Sequence, residues 1–233
     1  SWTEGASLNT ARGHDMAAFG TSTAAIHAGG SNGSNVANSE QWDGSSWTEV
    51  GDLATAIRYT TGAGSSSSSG IQMFGYTSAK TAIVQEWNFD STLAAGAWAS
   101  GGALNAGRYR MGSAGTRDAA LAFGGNKDPG QANETESYDG SSWTELNNLN
   151  TARSENGGCG PQTAALCIAG STSGDAGDPV VVVEQWNGSS WTEIADLNVA
   201  KAQIGSGGTT TAAFAAAGTT EGASVVATNE TWN

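Results

Sequence analysis

The strongest constraint on the fold is a four-residue segment that recurs in phase along the chain. Ser-Trp-Thr-Glu occurs at 1–4, 46–49, 142–145 and 190–193, and Trp98 marks a fifth, diverged copy. Ten or eleven residues after each of these tryptophans comes a basic residue, and together these form the set Arg12, Arg58, Arg108, Arg153 and Lys201. Self-similarity at a spacing of about 45 to 51 residues is typical of propeller blades.

Each repeat contains signals for four strands. Seventeen residues beyond each basic position, a run of small and apolar residues ends at a glycine: Gly29, Gly75, Gly125, Gly170 or Gly218. An aromatic residue follows, usually with Glu two positions before it, and a turn of the Asp/Asn-Gly-Ser type then leads into the Ser-Trp-Thr-Glu segment. We therefore predict four antiparallel strands per repeat.

The two chain ends predict how the repeats close. The blade-forming repeats span approximately 5–49, 50–100, 101–145, 146–193 and 194–233, and the last of them lacks a fourth strand. Pairing 1–4 with the third strand near Trp232 would complete that blade and remove two open sheet edges. The expectation is one domain over 1–233, an all-β five-bladed propeller with four-stranded antiparallel blades, in which the N-terminal strand completes the last blade.

The repeated residues resemble the kelch repeat over the whole chain. They share with it a basic residue opening the first strand, a glycine ending the second, Glu-x-aromatic on the third and Trp on the fourth. The Gly-Gly doublet of kelch repeats is complete only at 29–30 and 124–125. In style, the chain is also similar to kelch-like proteins of marine viruses and bacteria, which favours an extracellular or virion-associated location.

The enzyme activity that the kelch resemblance first suggests is that of a copper-radical oxidase. Such an enzyme needs paired His and Tyr ligands and a Tyr joined to Cys. This chain has only His14 and His27, both in one repeat, and its Tyr and Cys residues match no such motif. No nucleophile elbow, phosphate loop or zinc-binding His pair occurs either. We therefore predict no cofactor, no metal and no enzyme activity.

Charge limits the partners that this chain can bind. Nine Lys and Arg stand against 22 Asp and Glu, a formal net charge of −13. Repulsion of phosphate groups argues against nucleic acid and against an anionic membrane surface. The longest apolar stretches, such as 212–217, are too short to span a bilayer, so no membrane insertion is expected.

Two cysteines do not form a disulfide framework. Cys159 and Cys167 fall on two adjacent predicted strands of one hairpin. A cross-strand disulfide is geometrically possible there, and two buried free thiols are the other interpretation.

The candidate ligand-binding residues lie on one predicted face. The loop entering each first strand lies beside the central channel, and the kelch resemblance implies that basic residues at this position reach acidic ligands. The alternative is that each cation pairs with a carboxylate or a backbone carbonyl. The predicted ring consists of Arg12, Arg58, Arg108, Arg153 and Lys201.

The connections after the second strand vary in length and should share the face of the basic ring, where specificity is usually placed. Two of their acids, Asp175 and Asp178, are also weak candidates for a calcium site. The candidate ligand-binding residues of these loops are Asn32, Asn35, Asn126, Asp128, Asp175 and Asp178.

These features favour a non-catalytic recognition module that binds a carbohydrate or a protein ligand, with an acidic group, through the loop-bearing face and basic channel mouth. Two alternatives stay open. One is a structural or assembly propeller of a virion or cell surface, whose ligand is a second copy or a neighbouring subunit. The other is an enzyme that uses the basic mouth for an anionic substrate, although no acid, base or nucleophile stands out.

Overall fold

The computed structural model describes residues 5–14, 16–90, 95–173, 177–221 and 224–233, and it forms a five-bladed β-propeller. The first four blades are four-stranded antiparallel sheets in sequential strand order. Blade 1 contains β1 (Ala17–Thr21), β2 (Ala24–Ala28), β3 (Ser39–Trp42) and β4 (Trp47–Glu49). Blade 2 contains β5 (Thr61–Ser66), β6 (Ser69–Tyr76), β7 (Lys80–Asp90) and β8 (Ala95–Ser100).

The remaining blades follow the same pattern. Blade 3 contains β9 (Gly112–Thr116), β10 (Ala119–Phe123), β11 (Thr135–Tyr138) and β12 (Trp143–Glu145). Blade 4 contains β13 (Gly157–Cys159), β14 (Leu166–Ile168), β15 (Val183–Trp186) and β16 (Trp191–Glu193). Blade 5 contains β17 (Gly205–Thr209), β18 (Ala212–Ala216) and β21 (Asn229–Trp232), with a small hairpin of β19 (Thr219–Thr220) and β20 (Ser224–Val225) in its loop.

No helix among the described residues is long and apolar enough to cross a membrane. Compared with the other repeats, the sequence has an insertion at 88–97 between the third and fourth strands of blade 2. Its described ends extend the paired strands β7 and β8, with Asn88 opposite Ala97 and Phe89 opposite Gly96, whereas 91–94 lie outside the described residues. Phe89 packs against the apolar cluster between blades 1 and 2.

The repeated aromatic residues form cross-strand pairs within the blades. In blade 4, Trp186 lies opposite Trp191 with ring centroids 5.4 Å apart, and Tyr138 in blade 3 stacks on Trp143 at 5.0 Å. The fourth-strand tryptophan also reaches the preceding blade, because the Trp191 ring lies 4.9 Å from that of Phe123. The phased aromatic residues therefore pack the blades together.

A groove between blades 4 and 5 corresponds to the surface that Trp191 covers one blade earlier. Its volume is about 80 Å³, and it includes Leu166, Ile168, Leu197, Ala213 and Trp232. The predicted strand at 1–4 lies outside the described residues, and ring closure by that strand stays a prediction.

Small residues line the centre of the propeller, where the first strands of successive blades lie side by side: β1 beside β5, β5 beside β9, β9 beside β13 and β13 beside β17. A Cβ added at Gly158 would lie 2.3 Å from the carbonyl oxygen of Ser113 in the preceding blade. Glycine at this position therefore permits the close approach of two backbones.

Both cysteines of blade 4 are free and buried. Cys159 lies opposite Leu166 and Cys167 opposite Gly158, so the two side chains point to different faces of the sheet. They also belong to different apolar clusters, one on each side of the blade.

Candidate ligand-binding site

Four of the five predicted basic residues lie inside their blades and not on the surface of the channel mouth. In blade 1, Arg12 contacts Glu40 at 2.5 Å, and in blade 4, Arg153 contacts Glu184 at 2.8 Å, with all four side chains fully buried. The remaining pairs are Arg108–Glu136 and Lys201–Glu230. The alternative of carboxylate pairing is therefore the arrangement observed, and ligand binding by these four residues stays a prediction.

These glutamates also accept hydrogen bonds from the backbone that precedes the first strand. Glu184 binds the N–H of Asn150 at 2.8 Å. Burial alone would raise the pKa of the Glu40 carboxyl, but hydrogen bonds from the Asn9 amide and the Arg12 guanidinium lower it overall. The charged pair thus fixes the segment that enters each of these four blades.

Blade 2 departs from this scheme by one residue. Ile57, fully buried, is four residues beyond Leu53, just as Arg153 is four beyond Leu149. Arg58 instead matches Ser154, since Arg58 bridges Tyr76 in the way that Ser154 bridges Ser171. The glutamate of the other blades is replaced here by Gln85. The cation of blade 2 is thereby moved out of the blade interior.

A ring of backbone hydrogen bonds joins successive blades at the next position. These bonds run from the Tyr59 amide to the His14 carbonyl (3.0 Å), from Arg110 to Tyr59 (3.5 Å), from Glu155 to Arg110 (2.7 Å) and from Gln203 to Glu155 (2.9 Å). All five residues have φ between 56° and 64°. One residue from each blade therefore encircles the axis, and we call this set, His14, Tyr59, Arg110, Glu155 and Gln203, the axial rim.

The axial rim borders a cavity of about 300 Å³ on the propeller axis. Arg110, Glu155 and Gln203 contribute to its lining, together with first-strand residues such as Thr61 and Ser206. Arg110 contacts the buried carboxylate of Glu155 at 2.7 Å. We refer to this space as the axial cavity.

Three of the four tyrosines of the chain meet on one sector of the mouth. The ring centroids of Tyr59, Tyr76 and Tyr109 are 6.0 to 6.5 Å apart in all three pairs. Arg58 lies 5.2 Å from the Tyr59 ring and 5.3 Å from that of Tyr76, and Arg110 lies 4.7 Å from Tyr59. The ammonium of Lys80 lies 5.3 Å from the Tyr109 ring. We call this set, Arg58, Tyr59, Tyr76, Lys80, Tyr109 and Arg110, the tyrosine patch.

Arg58 is the distinctive cation of the patch. Of the nine basic side chains in the chain, eight form an ion pair with a carboxylate within the described part of the structure. The ninth is Arg58, whose guanidinium forms no ion pair among the described residues and lies over the rings of Tyr59 and Tyr76. In a protein with a net charge of −13, a half-buried cation without a carboxylate is available to an external anion.

Loops of the neighbouring blades flank the tyrosine patch. Only residues 77–79 connect β6 to β7 in blade 2, whereas 29–38 and 124–134 make the corresponding connections of blades 1 and 3. From blade 1, the Asn35 side-chain amide donates to the carbonyl of Tyr76 at 2.9 Å. From blade 3, Asp128 accepts from Lys80 at 2.7 Å, and its side chain is 90% exposed. The short connection leaves the patch open between two longer loops.

The structure separates the six loop candidates into two groups. Asn35, Asp128 and Asn126, which pairs through its backbone with Tyr109, border the patch. Asn32 and Asp178 are exposed in the loops of blades 1 and 4, away from these contacts, and Asp175 lies outside the described residues. No group of three or more His, Cys, Asp or Glu that would hold a metal occurs in the described ranges.

Sequence reasoning missed most of the patch, which includes Tyr59, Tyr76, Lys80, Tyr109 and Arg110. The sequence does contain a signal for the patch, at the residue that directly precedes the axial-rim residue in each blade. Three blades carry the small residues Gly13, Ser154 and Ala202 there, whereas blades 2 and 3 carry Arg58 and Tyr109. A departure from small to large residues in two adjacent repeats marks this sector as different from the rest of the mouth.

Comparisons with known proteins support the fold. No protein-family model matches the chain, and the search of curated proteins finds no relative. Among solved structures, that of a protein named YjhT is similar, with a TM-score of 0.71 over 89% of this chain and 77% of the other, at 10% sequence identity. Likeness at this identity shows the propeller architecture alone.

Proposed function

We propose that this protein is a recognition module that binds an anionic ligand at the tyrosine patch, on the loop-bearing face beside the channel mouth. The observation that carries the proposal is the guanidinium of Arg58, which has no carboxylate partner among the described residues and lies over two tyrosine rings. The assignment of this protein to the kelch-like propellers is our interpretation of the repeated residues and does not rest on the comparisons.

The surrounding groups suit an anion. Lys80 adds a second cation, and its exposed pair with Asp128 contributes little stability, so a ligand carboxylate can replace Asp128 at small cost. The hydroxyls of Tyr59, Tyr76 and Tyr109 make no hydrogen bond within the described ranges and can donate to a bound oxygen atom. Tyr and Arg are also enriched among the residues that carry most of the binding energy at interfaces.

Recognition without catalysis fits the groups beside the axial cavity. Glu155 is the carboxylate of the axial rim, and Arg110 holds it at 2.7 Å in a buried pair. The Glu155 amide also donates to the Arg110 carbonyl at 2.7 Å, so both the side chain and the backbone of Glu155 serve the structure of the rim.

Calorimetric titration with two acidic probes, a hexaglutamate peptide and trigalacturonate, tests the proposal. We expect at least one probe to bind, and Arg58→Ala to weaken that binding at least tenfold, because a hydrogen bond to a charged group contributes about 1.5–3 kcal/mol. The matched control is Arg117→Ala. Arg117 forms an ion pair with Asp118 in the turn between β9 and β10, on the opposite face.

The Arg117→Ala variant should bind the probe with an affinity within about twofold of that of the wild type. Salt screens the charge of Arg117 over the distance to the opposite face. Absence of binding by both probes, or equal losses in the two variants, would contradict the proposal.

A further inference from the structure

The tyrosine patch and the axial cavity adjoin each other. Arg110 belongs to both, since its guanidinium lies 5.4 Å from the Tyr109 ring and also lines the cavity. Thr60, the residue after Tyr59, lines the same cavity. A ligand held by Arg58 can therefore extend from the patch over the axial rim and into the cavity.

The axial cavity is small and polar at its rim. Its volume of about 300 Å³ is at the lower end of the range of small-molecule sites. Its rim offers both hydrogen-bond donors and acceptors, because the Arg110 guanidinium donates and the exposed Gln203 side-chain amide carries both kinds of group. Such a mixture suits a compact group with several hydroxyls better than a purely anionic group.

The backbone at the mouth is already engaged. The amides of Tyr59, Arg110, Glu155 and Gln203 donate to the preceding blade within the axial rim. The segment just before it is bridged as well, with Arg58 and Tyr76 exchanging backbone hydrogen bonds of 3.2 and 2.7 Å. An extended peptide that binds by adding a strand needs unpaired backbone at a sheet edge, which this part of the mouth does not offer. Side chains must provide the recognition.

We infer that the ligand is an acidic oligosaccharide of at least two units. One unit places its carboxylate on Arg58 within the tyrosine patch, and its neighbour enters the axial cavity past Arg110 and Gln203. This inference rests on the proposed function, because it assigns the ligand class of the same site. An acidic peptide is the competing class that the experiment must separate from it.

Four probes distinguish these ligand classes in calorimetric titrations of the full chain: trigalacturonate, galacturonate, neutral maltotriose and hexaglutamate. We expect trigalacturonate to bind at least tenfold more tightly than each of the other three, because it alone provides both the carboxylate and the neighbouring sugar unit. Arg58→Ala should reduce its affinity at least tenfold.

A second variant tests occupation of the axial cavity. Gly205 lines the cavity, and a Cβ at this position would meet only the carbonyl oxygen of Ala216, at 3.7 Å. Thr61 occupies the corresponding first-strand position of blade 2. Gly205→Thr should therefore fold, narrow the cavity and lower the affinity for trigalacturonate to that for galacturonate. The control is Gly13→Thr, where an added Cβ has no neighbour within 4 Å and the residue does not line the cavity.

The outcomes separate the inference from the proposed function. Tight, Arg58-dependent binding of hexaglutamate alone would overturn the oligosaccharide and leave the anion site intact. Equal affinities for trigalacturonate and galacturonate, unchanged by Gly205→Thr, would overturn occupation of the cavity. If none of the acidic probes binds, both proposals are contradicted.

Discussion

Blades 2 and 4 fix the entry to the first strand with different chemistry. In blade 4, the Glu184 carboxylate accepts the Asn150 amide and pairs with Arg153. In blade 2, the Gln85 side-chain oxygen accepts the Thr55 amide at 3.2 Å. The amide group of Gln85 in turn donates to Gln72 at 2.9 Å.

The comparison shows which part of the arrangement is required. Every blade needs a buried acceptor for the backbone that enters it, because an unsatisfied amide is costly. A cation is needed only where that acceptor carries a charge. Blade 2 has a neutral acceptor, so Ile57 fills the site of the cation and packs in an apolar cluster with Leu53 and Trp87. Arg58 therefore lies at the channel mouth and not in the blade interior.

Transfer of the blade 2 chemistry to blade 3 provides the sharpest test of this comparison. Arg108→Ile alone leaves the buried Glu136 without its cation and should lower the free energy of unfolding by about 3–5 kcal/mol. Adding Glu136→Gln removes the charge and should recover most of that loss, because a buried ion pair replaced by neutral groups is often close to neutral in stability. Urea unfolding of the three proteins measures both changes.

The control for this experiment is Arg58→Ala, which removes a cation that has no described carboxylate partner. We expect it to cost only about 0.5–2 kcal/mol, the worth of a cation–π contact. A double variant as unstable as Arg108→Ile alone would show that the blades do not share an interchangeable design.

A smaller effect should separate blades 1 and 2 in acid. Burial, followed by the charge of Arg12, lowers the pKa of His27 to about 4, although Glu40 opposes this shift. The ordinary pKa of His is 6.5, so the unfolded chain binds more protons between these values and stability must fall as the pH drops from 6.5 towards 4. The Glu40 pKa is lowered in the fold, so its contribution is lost at still lower pH, as the carboxylate protonates.

Hydrogen exchange at a series of pH values, read blade by blade, measures this effect. Blade 1 should lose protection before blade 2, in which the uncharged Gln72 and Gln85 occupy the places of His27 and Glu40. His27→Gln should remove the part of the loss between pH 6.5 and 4. Equal protection of both blades over that range would mean that protonation of His27 has no influence on the local stability of blade 1.

The sequence predicted the architecture well because its signals are local and repeated five times. Each turn and strand is encoded by neighbouring residues, and the phase of Trp and Gly sets the number of blades. Counting residues from the preceding tryptophan groups Arg58 with Arg153. Counting from the nearer leucine of each repeat aligns Ile57 with Arg153 instead. An error of one residue moves a side chain from the interior to the mouth.

The tyrosine patch was much harder to predict. Its residues come from two blades, at Tyr59, Tyr76 and Tyr109, and they meet only because the blades turn about a common axis. The ion pairs within the blades were equally hard to predict, since the sequence shows both Arg and Glu in most repeats but not whether they contact each other. Contacts between repeats depend on curvature, which local patterns do not encode.

A crystal structure from a selenate soak would test the central claim most directly, because anomalous scattering from selenium locates the anion independently of the protein density. We expect a selenate ion hydrogen-bonded to the Arg58 guanidinium, beside Tyr76 and Lys80, and none at the buried Arg153. Selenate bound elsewhere on the protein, with Arg58 held by a carboxylate of the chain, would contradict it.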